Sequence, residues 1–565
     1  MAWWGQRRWR GREIDPEDIF LDSSNRAGLD AGRLEGRIER PLSHTVILSI
    51  GAVFFFSALI FAGQAFRLQI LEGKVYADIS RNNRLERDVL FAARGTVSDR
   101  NGKELIWNAP AETADGTSTT TLPYAKRMYT PLSGFAHVLG FVHYPKADAQ
   151  GSWWREEYAG VSGVEAAFDA TLAGVNGSFL TETDARGDLV RSDIVDPPRD
   201  GENLALSIDA DVQHELARVL QQHAKTQGFQ GGAALIMDVK TGELLALTSF
   251  PEYSNAAFAE GDAVVIDAVH TSVTTPLLNR AVAGLYAPGS IVKPMFAAAA
   301  LHEGIIDPEK EILSTGSISI PNPYFPDKPS IFKDWKAHGY TDMRRALAVS
   351  SDVYFYAIGG GYQDQRGLGI AKIDEYARKF GFASLTGFIL GGEEKGTIPT
   401  PEWKQEVFDD EWRLGDTYNT AIGQYGFQVT PLQVIRYAAA VANGGTLLEP
   451  QLTKDARPRG SSVGISDDEL QIVREGMRAA VTDGGTAAAL NMSGIEIAGK
   501  TGTAQVGVRN QFMNSWVIGF WPASQPKYAF AVVLEKAPAG TNSGASPAMA
   551  NFFYWLRDNK PELIK

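Results

Sequence analysis

The sequence predicts an α+β protein with one membrane anchor, an extended mixed α/β pedestal, and a C-terminal domain in which helices pack on an antiparallel sheet. The anchor is indicated by a run without Asp, Glu, Lys or Arg from Pro41 to Phe66. The sheet is indicated by β-rich runs in residues 233–249 and again in residues 515–536, in which apolar residues either alternate with polar ones or follow one another without interruption. Between these strands lies a largely helical middle, and helices on an antiparallel sheet make an α+β domain.

The anchor is predicted at residues 44–66, after a polar tail of residues 1–43. Its core reads VILSIGAVFFFSALIFAGQA, and about twenty residues at about 1.5 Å each match a hydrocarbon thickness of about 30 Å. A cleaved signal peptide is the alternative, but the apolar run exceeds the usual 7–15 or so residues. Only Arg67 and Lys74 follow the span closely, whereas four arginines precede it: Arg26, Arg33, Arg37 and Arg40. This bias predicts a cytoplasmic N-terminus, with the rest of the chain outside the cytoplasmic membrane.

Composition excludes several classes of protein. The net charge is −13, which argues against a nucleic-acid binder because such domains are basic. The chain has no cysteine, so a disulfide framework, a thiolate metal site and a cysteine nucleophile are all excluded. The eight histidines form no H-E-x-x-H pattern, which argues against a zinc hydrolase. We therefore expect neither a metal nor a cofactor.

Residues 67–201 are predicted to form the pedestal and residues 202–565 the C-terminal domain. In the pedestal, a tight turn at Asn101-Gly102 between β-like runs predicts a hairpin. The segment VSGVEAAFDATLAG (Val161–Gly174) has helical spacing and ends in glycine, which predicts a helix. In the C-terminal domain, a Lys-Thr-Gly turn inside residues 233–249 predicts a second hairpin.

Three short motifs lie far apart in the C-terminal domain: SIVK at Ser290–Lys293, SSD at Ser350–Asp352 and KTGT at Lys500–Thr503. Each motif is weak alone, since S-x-x-K occurs by chance about once or twice in a chain of this length. Their settings strengthen them. SIVK follows Pro-Gly and opens an apolar run, whereas KTGT lies between EIAG and AQVGV and is predicted to be a strand. In this order, the three motifs fit a serine acyl-transfer site.

The chemistry of such a site explains the residue types. A serine hydroxyl is a poor nucleophile until a base takes its proton, and Lys293 lies one helical turn from Ser290. A free lysine has a pKa of about 10.4, so burial or a second cation must lower it, and Lys500 is the candidate for that cation. Backbone N–H groups of Ser290 and Thr503 are candidates for oxyanion stabilisation. The alternative is that Ser290 only caps a helix and Lys293 is solvated.

Eight segments around these motifs follow one another in a highly specific order: RLQILEGKVYADISRNNRLERDVLFAARGTVSDRNG, GVSGVEAAFDATLAG, LALSIDADVQ, GGAALIMDVKTGELLALTSFPEY, APGSIVKP, GDTYNTAIGQ, TPLQ and AGKTGTAQV. On these segments the chain resembles the class B penicillin-binding proteins, the DD-transpeptidases that cross-link peptidoglycan. The resemblance runs from about Arg67 to Glu535. It implies a pedestal of the dimerisation type over residues 67–201 and a serine β-lactamase-like transpeptidase domain over residues 202–565.

The resemblance also implies roles for the motif residues. Ser290 is the acyl-accepting nucleophile and Lys293 its base. Ser350 relays a proton toward the leaving group. The substrate and its carboxylate are held by a set that includes the lysine of the third motif: Asp352, Lys500, Thr501, Gly502 and Thr503. Many members carry S-x-N as the second motif, whereas Asp352 makes this chain most similar to the elongation-type subgroup, penicillin-binding protein 2.

One departure from the family concerns the pedestal head. Elongation-type relatives carry a long insert before the segment KRMYTPLSGFAHVLGFV (Lys126–Val142), whereas this chain has some two dozen residues there, including the polar stretch ADGTSTTTLP (Ala114–Pro123). The head is thus predicted to be reduced to a linker. In the family the head contacts scaffold proteins of the elongation complex, so that contact is in doubt here.

The implied substrates are stem peptides ending in D-Ala-D-Ala, with β-lactams as inhibitors. Because no glycosyltransferase domain is visible in the chain, the implied partner is a polytopic lipid-II polymerase in the membrane. Three alternatives stay open at this point: a division-type transpeptidase, a β-lactam sensor or β-lactamase, and a non-catalytic scaffold that retains the fold.

Overall fold

The structure, a computed structural model, describes residues 43–82, 85–110, 112–114, 119–149, 151–183, 189–322, 325 and 327–564. The chain divides into two compact units, one of residues 1–86 with 182–190 and the other of residues 87–181 with 191–565. The predicted cytoplasmic tail lies outside the described residues except for Ser43.

Two helices begin the described chain, α1 (His44–Phe66) and α2 (Gly73–Asn82), with a short π-helical segment, Arg67–Leu71, between them. Ser43 caps α1, because its Oγ accepts a hydrogen bond from the N–H of Val46. The most apolar 18-residue window of the continuous helical stretch from His44 to Leu71 has a mean hydropathy of 2.4 and no buried residue. By length and composition this helix fits a single-pass membrane anchor.

The pedestal consists of short strands and three short helices. In chain order they are β1 (Leu85–Leu90), β2 (Val97–Ser98), β3 (Glu104–Ala109), β4 (Glu112–Ala114), β5 (Thr119–Thr121), β6 (Lys126–Tyr129), α3 (Ala136–Leu139), β7 (Val142–His143), β8 (Lys146–Ala147), β9 (Trp153–Arg155), β10 (Ala159–Gly160), α4 (Gly163–Ala167), α5 (Asp169–Leu172), β11 (Gly177–Thr183) and β12 (Leu189–Asp196). The hairpin predicted at Asn101-Gly102 is confirmed by the antiparallel pairing of β2 with β3. Gly102 turns it with a φ of +85°, which glycine adopts without a steric penalty.

Two pedestal predictions need correction. The single helix expected at Val161–Gly174 is two short helices, because Phe168 leaves helical geometry with φ −114° and ψ 25° between α4 and α5. In the region expected to be a linker, β4 pairs antiparallel with β5, so that Glu112 lies opposite Thr121. A short two-stranded hairpin therefore flanks the reduced head, whose residues 115–118 lie outside the described part of the chain.

A buried ion cluster fastens α4 to the sheet of the pedestal. Glu165 accepts hydrogen bonds from the guanidinium of Arg94 at 2.6 Å and from that of Arg127 at 2.7 Å, and all three side chains are 0% exposed. Arg94 also pairs with Asp169 at 2.7 Å, and Arg127 donates to Asn108 at 2.9 Å. One carboxylate thus holds two arginines where water cannot replace it.

The C-terminal domain alternates helices with a few strand pairs and closes with three long strands. In chain order its elements are β13 (Leu204–Ala205), α6 (Ala210–Gln227), β14 (Gly231–Asp238), β15 (Leu244–Phe250), α7 (Asn255–Glu260), α8 (Ala263–His270), α9 (Arg280–Ala283), α10 (Lys293–His302), β16 (Ile312–Ser314), β17 (Ser317–Ile320), β18 (Ser330–Lys333), β19 (Gly339–Thr341), α11 (Met343–Val349), α12 (Asp352–Gly360), α13 (Gly369–Lys379), α14 (Pro401–Phe408), α15 (Leu414–Ala421), α16 (Pro431–Ala442), β20 (Thr446–Leu448), β21 (Gly460–Ser462), α17 (Asp467–Thr482), β22 (Ala498–Val506), β23 (Phe512–Trp521), β24 (Tyr528–Pro538) and α18 (Ala545–Asn559).

A five-stranded antiparallel sheet is the framework of this domain, with strand order β15-β14-β24-β23-β22. Successive residues of β14 belong to opposite cores: Leu235 packs with the cluster that contains α10 and α16, and Ile236 packs with the cluster that contains α6 and α18. Both faces of the sheet are therefore covered, which explains why its strands are almost continuously apolar. The predicted α+β class and both groups of strands are confirmed.

Candidate active site

The first motif forms a tight turn that leads into a buried helix. Residues Gly289–Val292 form one 3-10 turn, and α10 continues directly from Lys293 with a proline in its first turn, which suits a helix start. The turn is entered through Gly289, whose φ of +55° would strain any other residue. The prediction of Ser290 at a helix start, one turn before Lys293, is confirmed.

Three glycines let three segments meet at this turn. A Cβ on Gly289 would lie 2.8 Å from the carbonyl oxygen of Thr503, and one on Gly423 would lie 2.2 Å from the oxygen of Gly289. A Cβ on Gly502 would likewise approach the backbone of Pro288 to 2.9 Å. The N–H of Gly289 also donates to the oxygen of Gly423 at 2.9 Å. The turn that carries Ser290 thus lies between the 422–424 loop and β22, which brings Thr503 beside it.

Two lysines converge on one hydroxyl of the second motif. Lys293 Nζ donates to the carbonyl oxygen of Ser350 at 2.8 Å and to Asp352 Oδ1 at 2.6 Å, and it lies 3.3 Å from Ser350 Oγ. From the third motif, Lys500 Nζ donates to Ser350 Oγ at 2.8 Å and to the oxygen of Thr501 at 2.9 Å. Both lysine side chains are fully buried. Ser350 therefore connects the first motif with the third, and Asp352 is an acceptor for Lys293.

The electrostatics of Lys500 reflect its burial beside Lys293. Burial, and then the charge of Lys293, lower the pKa of Lys500 to well below its ordinary value, against the opposing effect of Asp352. The structure places the ion-pair partner, Asp352, on Lys293 and leaves Lys500 without a carboxylate contact among the described residues. Lys500 is therefore the amine that loses its proton more readily than a free lysine. The proposed effect of Lys500 on Lys293 stays a prediction.

The motif residues line or underlie one cleft of about 690 Å³. All eight predicted site residues are brought together: Ser290, Ser350, Asp352, Thr501, Gly502 and Thr503 line the cleft, and Lys293 and Lys500 contact Ser350 from below. No group of three or more His, Asp or Glu that could hold a metal occurs among the described residues.

The sequence analysis missed several residues of the cleft. Thr501 Oγ1 donates to Thr486 Oγ1 at 2.7 Å, so Thr486 fixes the orientation of a cleft hydroxyl. Gln424 and Asn542 also line the cleft. Gln424 ends the segment GDTYNTAIGQ, which carried the resemblance without a site role, and Asn542 lies in a loop without a recognisable motif. Trp516 both borders the cleft and packs in the core. Its ring is buried at the edge of the cleft, and its Nε1 donates to the oxygen of Ala287 at 3.1 Å, just ahead of the Ser290 turn.

We expect Lys500→Met to slow acylation by a β-lactam about 10²-fold, because it removes an amine that contacts Ser350. The midpoint of thermal unfolding should stay the same or rise, because folding no longer has to desolvate a buried amine. Because the folded-state pKa of Lys500 is lowered, the unfolded chain binds more protons. The contribution of this residue to the free energy of unfolding should therefore fall as the pH drops from about 10.5. Thermal unfolding against pH, with exposed Lys225→Met as control, tests this. A lowered midpoint with an unchanged acylation rate would contradict it.

The chain matches two protein families over most of its length outside the anchor. Residues 232–554 match the penicillin-binding protein transpeptidase domain, and residues 111–206 match the penicillin-binding protein dimerisation domain. The peptidoglycan D,D-transpeptidase MrdA of Acinetobacter baumannii is 33% identical over 463 residues, which cover 76% of this chain and 66% of that protein. The enzyme of the same name from Haemophilus influenzae is 30% identical over 483 residues, covering 78% of this chain and 71% of that protein.

Solved structures agree with these relatives. A complex of penicillin-binding protein 2 with MreC from Helicobacter pylori aligns with a TM-score of 0.69 at 25% identity, over 84% of this chain and 99% of that chain. A peptidoglycan synthase complex that coordinates polymerisation and crosslinking aligns with a TM-score of 0.70 at 27% identity, over 91% of this chain and 99% of that chain. The chain thus belongs to the class B penicillin-binding proteins, as a peptidoglycan D,D-transpeptidase of the elongation type.

Proposed function

We propose that Ser290 is the nucleophile of this transpeptidase and that Lys293, Ser350 and Lys500 move its protons. The observation that carries the proposal is the convergence of both lysine amines on Ser350 Oγ, at the floor of the cleft that Ser290 lines. A lysine amine takes up a proton only in its neutral form, and burial favours that form. The hydroxyl of Ser350 is the one group within reach of both amines in the described structure, which suits a relay.

The reaction has two steps. Ser290 Oγ attacks the carbonyl carbon of the penultimate D-Ala of a donor stem, and its proton passes to Lys293. The new C–O bond gives a tetrahedral intermediate, which collapses when the peptide C–N bond breaks, and the leaving D-Ala amine receives a proton through Ser350. An amine of a neighbouring stem then attacks the ester carbonyl carbon. The C–O bond to Ser290 breaks and the proton lost by the amine returns to Ser290 Oγ, which restores Ser290 and forms the cross-link amide. The backbone N–H groups of Ser290 and Thr503 are proposed to stabilise the oxyanion of each tetrahedral intermediate.

Substrate binding is assigned to the β22 side of the cleft. Thr501, Gly502 and Thr503 line the cleft, and we propose that the two threonine hydroxyls face the terminal carboxylate. Asp352, which is paired with Lys293, is proposed to shape the same end of the cleft. Whether Lys500 also holds the carboxylate is tested with a matched pair of ligands. If Lys500 holds the carboxylate, Lys500→Met slows acylation by a carboxylate-bearing lactam far more than acylation by its neutral ester. If Lys500 serves Ser350, the two acylation rates fall by the same factor.

The lining of the cleft supports a transpeptidase over a β-lactamase. A class A β-lactamase needs a glutamate with its water for deacylation. The described residues that line the cleft include one carboxylate, Asp352, and it is paired with Lys293. A gel assay with fluorescent penicillin separates the candidates. A stable covalent label supports the transpeptidase, rapid turnover would indicate a β-lactamase, and the absence of any label would indicate a non-catalytic scaffold.

We also propose the domain boundaries and the orientation predicted from the sequence: residues 1–43 in the cytoplasm, the anchor at 44–66, the pedestal at 67–201 and the transpeptidase domain at 202–565, outside the membrane. The lipid-II polymerase is the proposed partner. It is supported by the similarity to a synthase complex in which polymerisation and crosslinking are coordinated. A contact with a scaffold protein such as the MreC of the Helicobacter pylori complex is less well supported, since the head is reduced.

The polymerase contact is expected to run through α1. Around Gly51 and Gly63 there is open space, since a Cβ at either position would meet no described atom within 4 Å. Such small residues permit close helix packing in a bilayer. We expect the double variant Gly51→Leu with Gly63→Leu to weaken co-purification with the polymerase about tenfold, because about 1–2 kcal/mol of helix packing is lost. Deletion of Thr117–Thr121 should leave co-purification unchanged. A complex that survives the leucines but breaks on the deletion would contradict this.

A further inference from the structure

The turn that carries Ser350 has an unusual backbone. Ser350 ends α11 in the left-handed region, with φ +57° and ψ +42°, and α12 begins two residues later. A non-glycine residue rarely adopts this conformation unless its surroundings hold it there. The consequence is functional, because this conformation directs both the carbonyl oxygen and the hydroxyl of Ser350 toward Lys293.

The segment Asp334-Trp335 holds this turn on both sides. Before the turn, Trp335 Nε1 donates to the oxygen of Val349 at 3.1 Å. After the turn, Asp334 Oδ2 accepts hydrogen bonds from Ser351 Oγ at 2.8 Å and from the N–H of Val353 at 3.0 Å. Ser350 is therefore enclosed between two anchored neighbours, although neither Asp334 nor Trp335 bonds to Ser350 itself in the described structure.

Asp334 is itself firmly placed. Its side chain is 0% exposed, its Oδ1 accepts from the N–H of Trp335 at 2.8 Å, and its Oδ2 also accepts from Ser314 Oγ at 3.2 Å. His338 Nε2 lies 3.4 Å from Oδ1. Burial acts to raise the pKa of Asp334, but the hydrogen bonds from Val353 and Ser351 and the charge of Lys293 outweigh it and hold the pKa below its ordinary value. The group is thus an ionised acceptor at the N-terminus of α12, where a negative charge is favoured.

We propose that Asp334 is a positioning residue for the acyl-transfer reaction, which holds the Ser350 turn in its left-handed conformation by fixing Ser351 and the start of α12. It contacts neither of the lysines nor the nucleophile, so it acts through Ser350 and Asp352. This inference rests on the proposed roles of Ser290, Lys293 and Ser350. It goes beyond them because the residue lies outside all three motifs.

The test separates positioning from folding. In the full-length protein, Asp334→Ala should lower the rate constant of acylation by a β-lactam about 10²-fold, since displacement of a catalytic group by about 1 Å costs that much. The dissociation constant of the initial complex should change less than about threefold, because the groups that line β22 are untouched. Asp334→Asn, which keeps one oxygen acceptor, should recover most of the rate. Rates are taken only from the fraction that becomes labelled, so that misfolded protein does not count.

Two matched controls make the result decisive even if Asp334→Ala fails to fold. Ser351→Ala removes one donor to Asp334 and the cap of α12, whereas Ser466→Ala removes the equivalent serine cap of α17. We expect only Ser351→Ala to slow acylation. The inference is overturned if Asp334→Ala or Ser351→Ala acylates at the wild-type rate, or if Ser466→Ala slows the reaction as much as Ser351→Ala. Failure of the proposed function would look different, because the wild-type protein would then not be labelled at Ser290 at all.

Discussion

Replacement of Lys293 by methionine is expected to slow acylation by a β-lactam about 10²- to 10⁴-fold, the usual contribution of a positioned general base. The physical reason is that Lys293 is the buried amine one helical turn from Ser290, bonded to both the carbonyl oxygen of Ser350 and Asp352. The measurement is the rate of covalent labelling of the full-length protein, with the initial binding constant determined separately. That constant should change little, because Lys293 lies below the cleft.

Two variants control this experiment. Lys293→Arg retains a positive charge but cannot give up a proton at neutral pH, so it should be as slow as Lys293→Met. The double variant Lys293→Met with Asp352→Asn removes the unpaired, partly buried carboxylate that the single change leaves behind, and it should unfold at a higher temperature than the single variant. Acylation of Lys293→Arg at the wild-type rate would show that the base lies elsewhere.

Replacement of Glu165 by alanine is expected to destabilise the protein by about 3–5 kcal/mol, the usual cost of removing one partner from a buried ion pair. Glu165 is the carboxylate between Arg94 and Arg127, and its removal leaves two guanidinium groups facing each other at 0% exposure. Asp169 pairs with Arg94 and makes no ion pair with Arg127 in the described structure, so it compensates Arg94 alone. The pedestal should therefore unfold before the domain that carries the acyl-transfer site, whose first motif begins more than a hundred residues later in the sequence.

The measurement for Glu165→Ala is thermal unfolding of the full-length protein in detergent, followed by limited proteolysis to identify the segment that opens. Exposed Glu157→Ala is the matched control and should behave like the wild type. An unchanged midpoint for Glu165→Ala would mean that water reaches the two arginines and that the cluster does not fasten α4.

Much of the fold was predictable because the signals are local. The anchor follows from an uninterrupted apolar run, and the hairpins follow from two-residue periodicity around turns such as Asn101-Gly102. The site motifs were predictable for another reason: the chemistry demands particular residue types in particular local settings. Even their assembly was expected, since a nucleophile, a base and a relay are of use only when they are in contact.

The rest depended on contacts that no local signal records. Asp334 lies between β18 and β19, and it reaches the Ser350 turn because this part of the chain folds back against the start of α12. In the sequence, an aspartate beside a tryptophan is typical of an ordinary loop and gives no sign of this contact. Thr486 meets Thr501 for a similar reason. The break at Phe168 was missed because the apolar spacing continues through it. The lowered pKa of Lys500 was not predicted, because the sequence does not show which lysine Asp352 pairs with.

The central claim, that Ser290 carries the acyl group, is tested most directly by mass spectrometry of the protein after reaction with a β-lactam and digestion with trypsin. Trypsin does not cut before Pro294, so Ser290 falls in the peptide Ala281–Lys310, which contains one serine and no threonine. We predict one adduct on this peptide, unchanged after an hour and absent from Ser290→Ala, which should still fold. An adduct on any other peptide, or a labelled Ser290→Ala protein, would contradict the account.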